Sequence, residues 1–268
     1  MAATGQITAR PRPSVAPATG GAASARAAMM LRVACALVVF GVWEAVSRSG
    51  LFYGEVVPSL LSIAKAFGRL LVDPVFWKNL QVTALETIAS LAIGAAAGVV
   101  TGIVLGANTF LMRAFEPYIY YLSPTPRIIL FPVMIMWFGV GPTSKVALGA
   151  LSAFFAVALS TAAGMRQIDK ILIRVGHSFR ATTWQMATKI YLPAMRIPIL
   201  NGIRLGMGTA IITVLLAETK LSNQGLGYLI MQIYTRFDMP GLYALLIIVF
   251  IIAGACNALI GRLAKEQA

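Results

Sequence analysis

Histidine, cysteine and acid are nearly missing from this sequence: one His, two Cys and nine Asp plus Glu stand among 268 residues. The single imidazole, His177, has no second one with which to hold a metal or build a Ser-His pair. Cys35 and Cys256 both sit inside apolar runs, which excludes a disulfide scaffold and a cysteine metal centre. No G-x-x-x-x-G-K-[ST] phosphate loop occurs, so the chain has no recognisable means of hydrolysing ATP by itself. Charged residues make up only 12% of the chain against 59% hydrophobic, the reverse of the balance in a soluble domain. Apolar surface on this scale needs lipid around it.

What is present is cation and long apolar stretches. The net charge is +13, which in a membrane protein reflects Lys and Arg gathering in cytoplasmic loops. Six stretches are long enough to cross a hydrocarbon core of about 30 Å. They run at about 29–47, 84–106, 118–140, 144–164, 197–219 and 241–262. The third contains Pro124, Pro126 and Pro132 together with Arg127, and is expected to be bent and partly hydrated. Ahead of the first, residues 1–28 read as a flexible basic tail, and Trp43-Glu44 in place of a small-residue cleavage site favours an uncleaved first span over a signal peptide. When loops are assigned alternately, the cation-rich side takes both termini and the loop 165–196, so both termini are expected to be cytoplasmic. That loop holds Arg166, Lys170, Arg174, Arg180, Lys189 and Arg196 against the single acid Asp169.

The fold expected is an all-α membrane protein. Gly94, Gly98, Gly102 and Gly106 fall at every fourth position of the second span and line one face, where another helix can approach closely. Gly202, Gly206 and Gly208 offer the same in the fifth. Glu44, Glu86, Glu116 and Glu218 lie at the rims of spans or within them toward their ends, and no internal repeat is visible; both features count against a secondary transporter built around a mid-membrane proton relay.

The loop 165–196 is too patterned for a connector. Ile168, Ile171, Leu172, Val175 and Phe179 recur at helical spacing opposite Asp169, Lys170, Arg174 and His177. Thr182 stands three residues before Gln185, as in a capping box, so a second short helix is expected to start there and to end near Leu192, before Pro193. The two helices meet at Phe179 to Thr183, with Trp184 at the corner. Pattern alone leaves three readings open: a helix on the membrane surface, a strut across the span ends, or a docking element for a partner's groove.

The segment Arg174 to Pro193, followed by Asn201-Gly202-Ile203-Arg204-Leu205-Gly206-Met207-Gly208, resembles the cytoplasmic loop of binding-protein-dependent ABC importer permeases. In that family the loop runs Glu-Ala-Ala, three residues, Gly, and closes on Leu-Pro. Trp137-Phe138-Gly139-Val140-Gly141, Leu216-Ala217-Glu218 and Gly225-Leu226-Gly227-Tyr228-Leu229-Ile230 resemble the branch that handles nitrate, sulfonates and taurine. Arg174 stands where the family has Glu, Val175 and Gly176 where it has Ala, and Arg180 where it has Gly, while Ala181, Leu192 and Pro193 keep the family type. The resemblance implies a type I importer permease domain over 29–264. It would work as a homodimer with cytoplasmic ATPase subunits that carry ATP and Mg, and with an extracytoplasmic solute-binding protein; the chain itself would need no cofactor and perform no covalent chemistry.

The residues expected to couple to the ATPase are Arg174, Val175, Gly176, Phe179, Arg180, Ala181, Thr182, Trp184, Leu192 and Pro193. Arg127 and Arg204 lie roughly 10 to 14 Å inside the cytoplasmic boundary, where they either snorkel or make the path electropositive for a small anion. Glu218 is expected at the outer gate or the binding-protein footprint, or as a solvated helix end. An ATP-independent secondary transporter or channel is the alternative reading, and a subunit that only anchors other proteins is a third.

Overall fold

The computed structural model of the chain describes residues 21–51 and 56–266. It is helical, with no strand among the described residues. The described residues 21–51 and 56–266 belong to two separate units. The first contains α1 (Gly21–Arg48). This helix reaches back into the segment expected to be the basic tail; the rest of that tail, with Arg10 and Arg12, lies outside the described residues. None of the apolar window of α1 is buried, as suits a helix whose whole circumference is apolar.

The second unit is built on three long helices, α3 (Pro74–Ala107), α6 (Pro142–Arg166) and α10 (Arg196–Lys220), which pack on one another as its centre. The glycine stripe explains the closeness. A Cβ on Gly98 would come within 2.8 Å of the Val157 Cβ, and one on Gly102 would overlap Thr161. Gly94 and Gly106 meet Ala150 and Met165 in the same way, so α3 lies backbone to backbone on α6. Gly202 and Gly206 seat α10 against Ser160 and Val157 on the same helix, whereas Gly208 faces open space. Close approach is what holds helices together where surrounding lipid removes the hydrophobic drive.

Around this centre stand α2 (Leu60–Val72), α4 (Thr109–Leu122), α5 (Phe131–Phe138), α11 (Leu226–Thr235) and α12 (Met239–Glu266). Asp73 ends α2 and begins α3, accepting the Val75 N–H at 2.8 Å, with Pro74 at the first helical position. Phe76 of α3 is fully buried with Leu226, Leu229, Leu245 and Ile248 between α11 and α12. The second span therefore begins ten residues earlier than its hydropathy indicates, because Phe76, Asn79 and Thr83 bury against protein and not lipid.

Among the described residues five helices are long and apolar enough to cross a membrane, and a bent pair makes a sixth candidate span. That pair is α4 and the segment Arg127–Phe138, which opens with a 3-10 turn at Arg127–Leu130 and continues as α5; the two halves meet at 91°. Pro124 and Pro126 supply the break, since neither has an N–H for a helical bond and each holds the preceding residue extended.

Between α6 and α10 lie α7 (Lys170–Ser178), α8 (Thr183–Gln185) and α9 (Leu192–Ala194), the last two joined by a π-helical stretch, Met186–Tyr191. The second short helix thus runs to Ala194, two residues beyond its expected end. The wide π turn just before Pro193 accommodates a residue that lacks the N–H and crowds the previous turn.

Candidate functional site

Each end of the central helices carries a distinct cluster. At the loop end, Asp169 caps α7 by accepting the Ile171 N–H at 2.8 Å, so it belongs to the helix start and not to the polar face. Ile168 is buried with Met165 and Met195. Ile171, Leu172 and Val175 are exposed, which places most of the expected apolar stripe outward. The inward contact is Gly176, where an added Cβ would overlap Met186 and Ile190 of the π stretch. Absence of a side chain at Gly176 lets the two short helices cross closely.

The corner between them is built locally. Thr182 accepts the Gln185 N–H at 3.3 Å and the Gln185 side chain accepts the Thr182 N–H at 2.9 Å, the reciprocal capping box its spacing indicates. Ala181 N–H donates to Gly176 O at 3.0 Å. Arg180, in the position where the resembled family has Gly, takes φ of 50°. The turn therefore keeps the left-handed geometry that a glycine would adopt freely, at a cost in backbone energy. Phe179 and Trp184 flank it at 83% and 76% exposure. Two aromatic side chains held out from a capped corner form an unpartnered apolar projection. Leu192 is also exposed, and Arg174 contributes its carbonyl to Ser178 Oγ at 3.0 Å. Near the same end, Arg166 pairs with Glu116 of α4 at 3.0 Å.

The opposite end holds a buried polar cluster that connects α3, α6, α10 and α11. Glu218 is 1% exposed. Its Oε1 accepts the Thr83 hydroxyl at 2.7 Å and its Oε2 accepts the Gly227 N–H at 2.7 Å. Thr83 in turn accepts the Leu226 N–H at 2.8 Å, and Asn79 accepts the Gly225 N–H at 2.7 Å. The N–H groups of Gly225, Leu226 and Gly227 at the start of α11 are thus satisfied by side chains of other elements, with a carboxylate at the helix N-terminus where the backbone dipole favours it. Gly225 has φ of 107°, and a Cβ there or on Gly227 would collide with the Glu218 carboxyl. Glu218 and the two glycines of Gly225-Leu226-Gly227 form one interlocking unit, and Glu218 is not a solvated helix end.

Next to it, Lys145 Nζ lies 2.6 Å from Glu86 Oε1 and 3.0 Å from Ser222 Oγ. Lys145, at the start of the fourth apolar stretch, is only 3% exposed. Glu86 and Glu218 are close enough to interact directly, and Glu86 Oε2 has no hydrogen-bond partner. Glu86, Lys145 and Glu218 border an open cavity of ≈ 520 Å³ whose mouth carries Lys220, Asn223, Gln224 and Tyr228. Asn79, Thr83, Glu86 and Lys145 are the residues that sequence reasoning missed as a group. Only the acids at the span rims hinted at it.

Arg127 and Arg204 are not brought together. Arg127 donates to Ser123 O and packs over the Phe155 ring at 4.9 Å, and its Nε has no partner. Arg204 donates from Nε to Asn257 Oδ1 of α12 at 2.7 Å and covers Gly261. No group of His, Cys, Asp and Glu with metal-binding geometry occurs among the described residues.

Residues 94–265 match the family described as binding-protein-dependent transport system inner membrane component. The chain belongs to this family. It is 30% identical over 213 residues to the taurine transport system permease protein TauC of Escherichia coli (strain K12), covering 78% of this chain and 77% of that one. It is 29% identical over 230 residues to the putative aliphatic sulfonates transport permease protein SsuC of Bacillus subtilis (strain 168), covering 86% and 83%. In fold it resembles the inward-facing MetNI methionine ABC transporter, with TM-score 0.65 at 19% identity over 73% of this chain and 99% of that chain. The protein is therefore a permease subunit of a binding-protein-dependent ABC importer, of type I fold and in the sulfonate and taurine branch. Family membership replaces the ATP-independent transporter and the mere anchor considered from sequence.

Proposed function

We propose that residues 29–264 form the translocation path for a small anionic solute of the sulfonate or taurine kind, and that the loop 165–196 couples this path to a separate cytoplasmic ATPase. ATP and Mg reside on that partner, and an extracytoplasmic binding protein delivers solute at the opposite end. A homodimer of this chain encloses the path. The loop end is cytoplasmic, as are both termini, because the cations of 165–196 and its flanks gather there.

One observation carries the coupling role. The loop is continuous with α6 and α10, two of the three central helices, and it holds Phe179 and Trp184 outward on a capped corner. A rigid projection of this kind suits helix-in-groove docking, in which buried aromatics dominate the contact. Arg174, Val175, Gly176, Arg180, Ala181, Thr182, Leu192 and Pro193 shape or border it. ATP-driven closure of the ATPase pair would carry the two corners with it and tilt the attached spans, a rigid-body change between inward-open and outward-open arrangements. Within the path, Arg127 supplies positive charge toward the cytoplasmic half and Glu218 fixes the outer end; Arg204 contributes its charge from the α12 side.

Co-purification of the ATPase with detergent-solubilised permease tests the coupling. Replacing Phe179 and Trp184 together by Ala is expected to release the ATPase while the permease remains in the membrane at its normal level. Undiminished recovery of the ATPase with the double variant would refute the docking role.

A further inference from the structure

Thr83 and Glu86 stand three residues apart on one face of α3, and that face meets the end of α10. The Thr83 hydroxyl reaches Glu218 Oε1 at 2.7 Å, so the next acid along the face, Glu86, comes into hydrogen-bond contact with the same carboxyl. Glu86 Oε1 faces Lys145 Nζ at 2.6 Å, whereas Glu86 Oε2 has neither a donor among the protein groups nor solvent access. Two ionised carboxylates cannot bond to each other, because each only accepts. A proton between them removes the repulsion and the unsatisfied oxygen at once.

The other groups around the pair fix its charge. From α6 comes Lys145, the one buried cation among the described residues, and α10 adds Lys220 only at the cavity mouth, where it is exposed. The start of α11 and the turn ahead of α6 bring the Gly227 N–H and the Tyr228 phenol but no charge. With one proton held, the pair carries a single negative charge and Lys145 balances it. Without that proton two carboxylates would face one ammonium where little water reaches, which burial penalises.

We propose that Glu86 and Glu218 hold one proton between them, and that this proton-bridged pair is a pH-sensitive latch joining the ends of α3, α6, α10 and α11 that lie opposite the loop. The bridge ties α3 to α10, the Gly227 N–H ties α10 to α11, and Lys145 brings in α6. The latch goes beyond the reading of the chain as an importer permease and does not depend on the solute carried. Loss of the proton sets the two carboxylates against each other and drives α3 from α10. In the unfolded chain the separated carboxyls meet only water and are both ionised at neutral pH. The folded chain therefore binds one proton more than the unfolded one, and linkage requires its stability to fall as pH rises until that proton is gone.

The test uses the whole chain purified in dodecyl maltoside, a detergent without a carbonyl group, and infrared difference spectra between neutral and alkaline pH. Glu86 and Glu218 are the only buried acids among the described residues, so a carboxylic acid that persists at neutral pH is expected to be theirs. The wild type should show the C=O band of a protonated carboxyl and lose it as the pH is raised. Glu86→Gln should lack the band, since its amide nitrogen donates in place of the proton while its oxygen still faces Lys145. The thermal midpoint, read by size-exclusion chromatography after heating, should fall by several degrees over the same pH step in the wild type and much less in Glu86→Gln. Absence of the band from the wild type at neutral pH overturns the inference, and that measurement needs no variant to fold. A band that survives in Glu86→Gln overturns the assignment to this pair. An equal fall of the midpoint in wild type and Glu86→Gln overturns the latch and places the pH sensitivity elsewhere, with Lys145 the first suspect.

Discussion

Glu218 and Gly227 are joined by a 2.7 Å hydrogen bond from the glycine N–H to the carboxylate, and the same carboxylate fills the space that a side chain on Gly225 or Gly227 would need. The acid at the end of α10 and the glycines that open α11 are therefore one structural element. Gly227→Ala should force a methyl group against Leu215 O and Glu218 Cβ, an overpacking of about 1 to 3 kcal/mol. Thermal unfolding of the detergent-extracted protein, followed by size-exclusion chromatography, is expected to shift down by several degrees. An unshifted transition would show that the contact yields without cost.

Glu218→Gln makes a sharper test of the network. The amide keeps one oxygen for the Gly227 N–H, but its nitrogen turns toward Thr83, whose hydroxyl hydrogen now points at Glu218 and whose oxygen already accepts from Leu226. One buried donor is left unsatisfied, at about 1 to 3 kcal/mol. The variant should reach the membrane in reduced amount and lose uptake per molecule as α11 loosens. Full expression with full uptake would assign Glu218 no role in holding the outer end.

Much of the loop end was legible in the sequence, because its determinants are local. Thr182 and Gln185 stand three residues apart, and their reciprocal bonds close within one turn. The glycine stripe of α3 was legible for a similar reason, since a period of four maps directly onto one helix face. The outer cluster was not. Asn79 and Gly225 meet across 146 residues, and Thr83 and Glu218 across 135, and such pairings leave no periodic trace. Lys145 illustrates the difficulty: at the start of the fourth apolar stretch its sequence neighbours give no sign of an acid partner, yet it is buried against Glu86. The Pro124 and Pro126 pair announced a break in the third span, but not that its halves would lie at 91°.

Arg180 offers a prediction of opposite sign. A non-glycine residue at φ of 50° carries a left-handed penalty of about 1 to 2 kcal/mol, which glycine avoids. The guanidinium has no hydrogen bond or ion pair among the described contacts whose loss would offset this gain. Arg180→Gly is therefore expected to raise the thermal midpoint or leave it unchanged once the greater freedom of glycine in the unfolded chain is subtracted, with co-purification of the ATPase retained. A clear fall in ATPase recovery at unchanged stability would reveal that the Arg180 side chain itself contacts the partner.

Arg127 and Arg204 separate by the company they keep. Arg204 is tied to Asn257 at 2.7 Å and lies over Gly261, so it links α10 to α12 and its charge is already directed at a fixed acceptor. Arg127 stands at the break of the bent span, over the face of Phe155, with Nε unpaired. A guanidinium in this position retains donors for a passing anion, and the aromatic face contributes about 0.5 to 2 kcal/mol to holding it in place. Replacing each by Gln should produce different losses. Arg204→Gln is expected to lower thermal stability and uptake together, by the loss of an interhelical bond of roughly 1 to 3 kcal/mol. Arg127→Gln should slow uptake of the sulfonate several-fold with little change in the thermal midpoint and with the ATPase still bound. The measurement is initial uptake in proteoliposomes over a range of solute concentrations, paired with thermal unfolding of each variant. If Arg204→Gln slowed uptake without destabilising the protein, its charge would belong to the path; if Arg127→Gln destabilised it in proportion to the loss of uptake, Arg127 would be a strut for the bend.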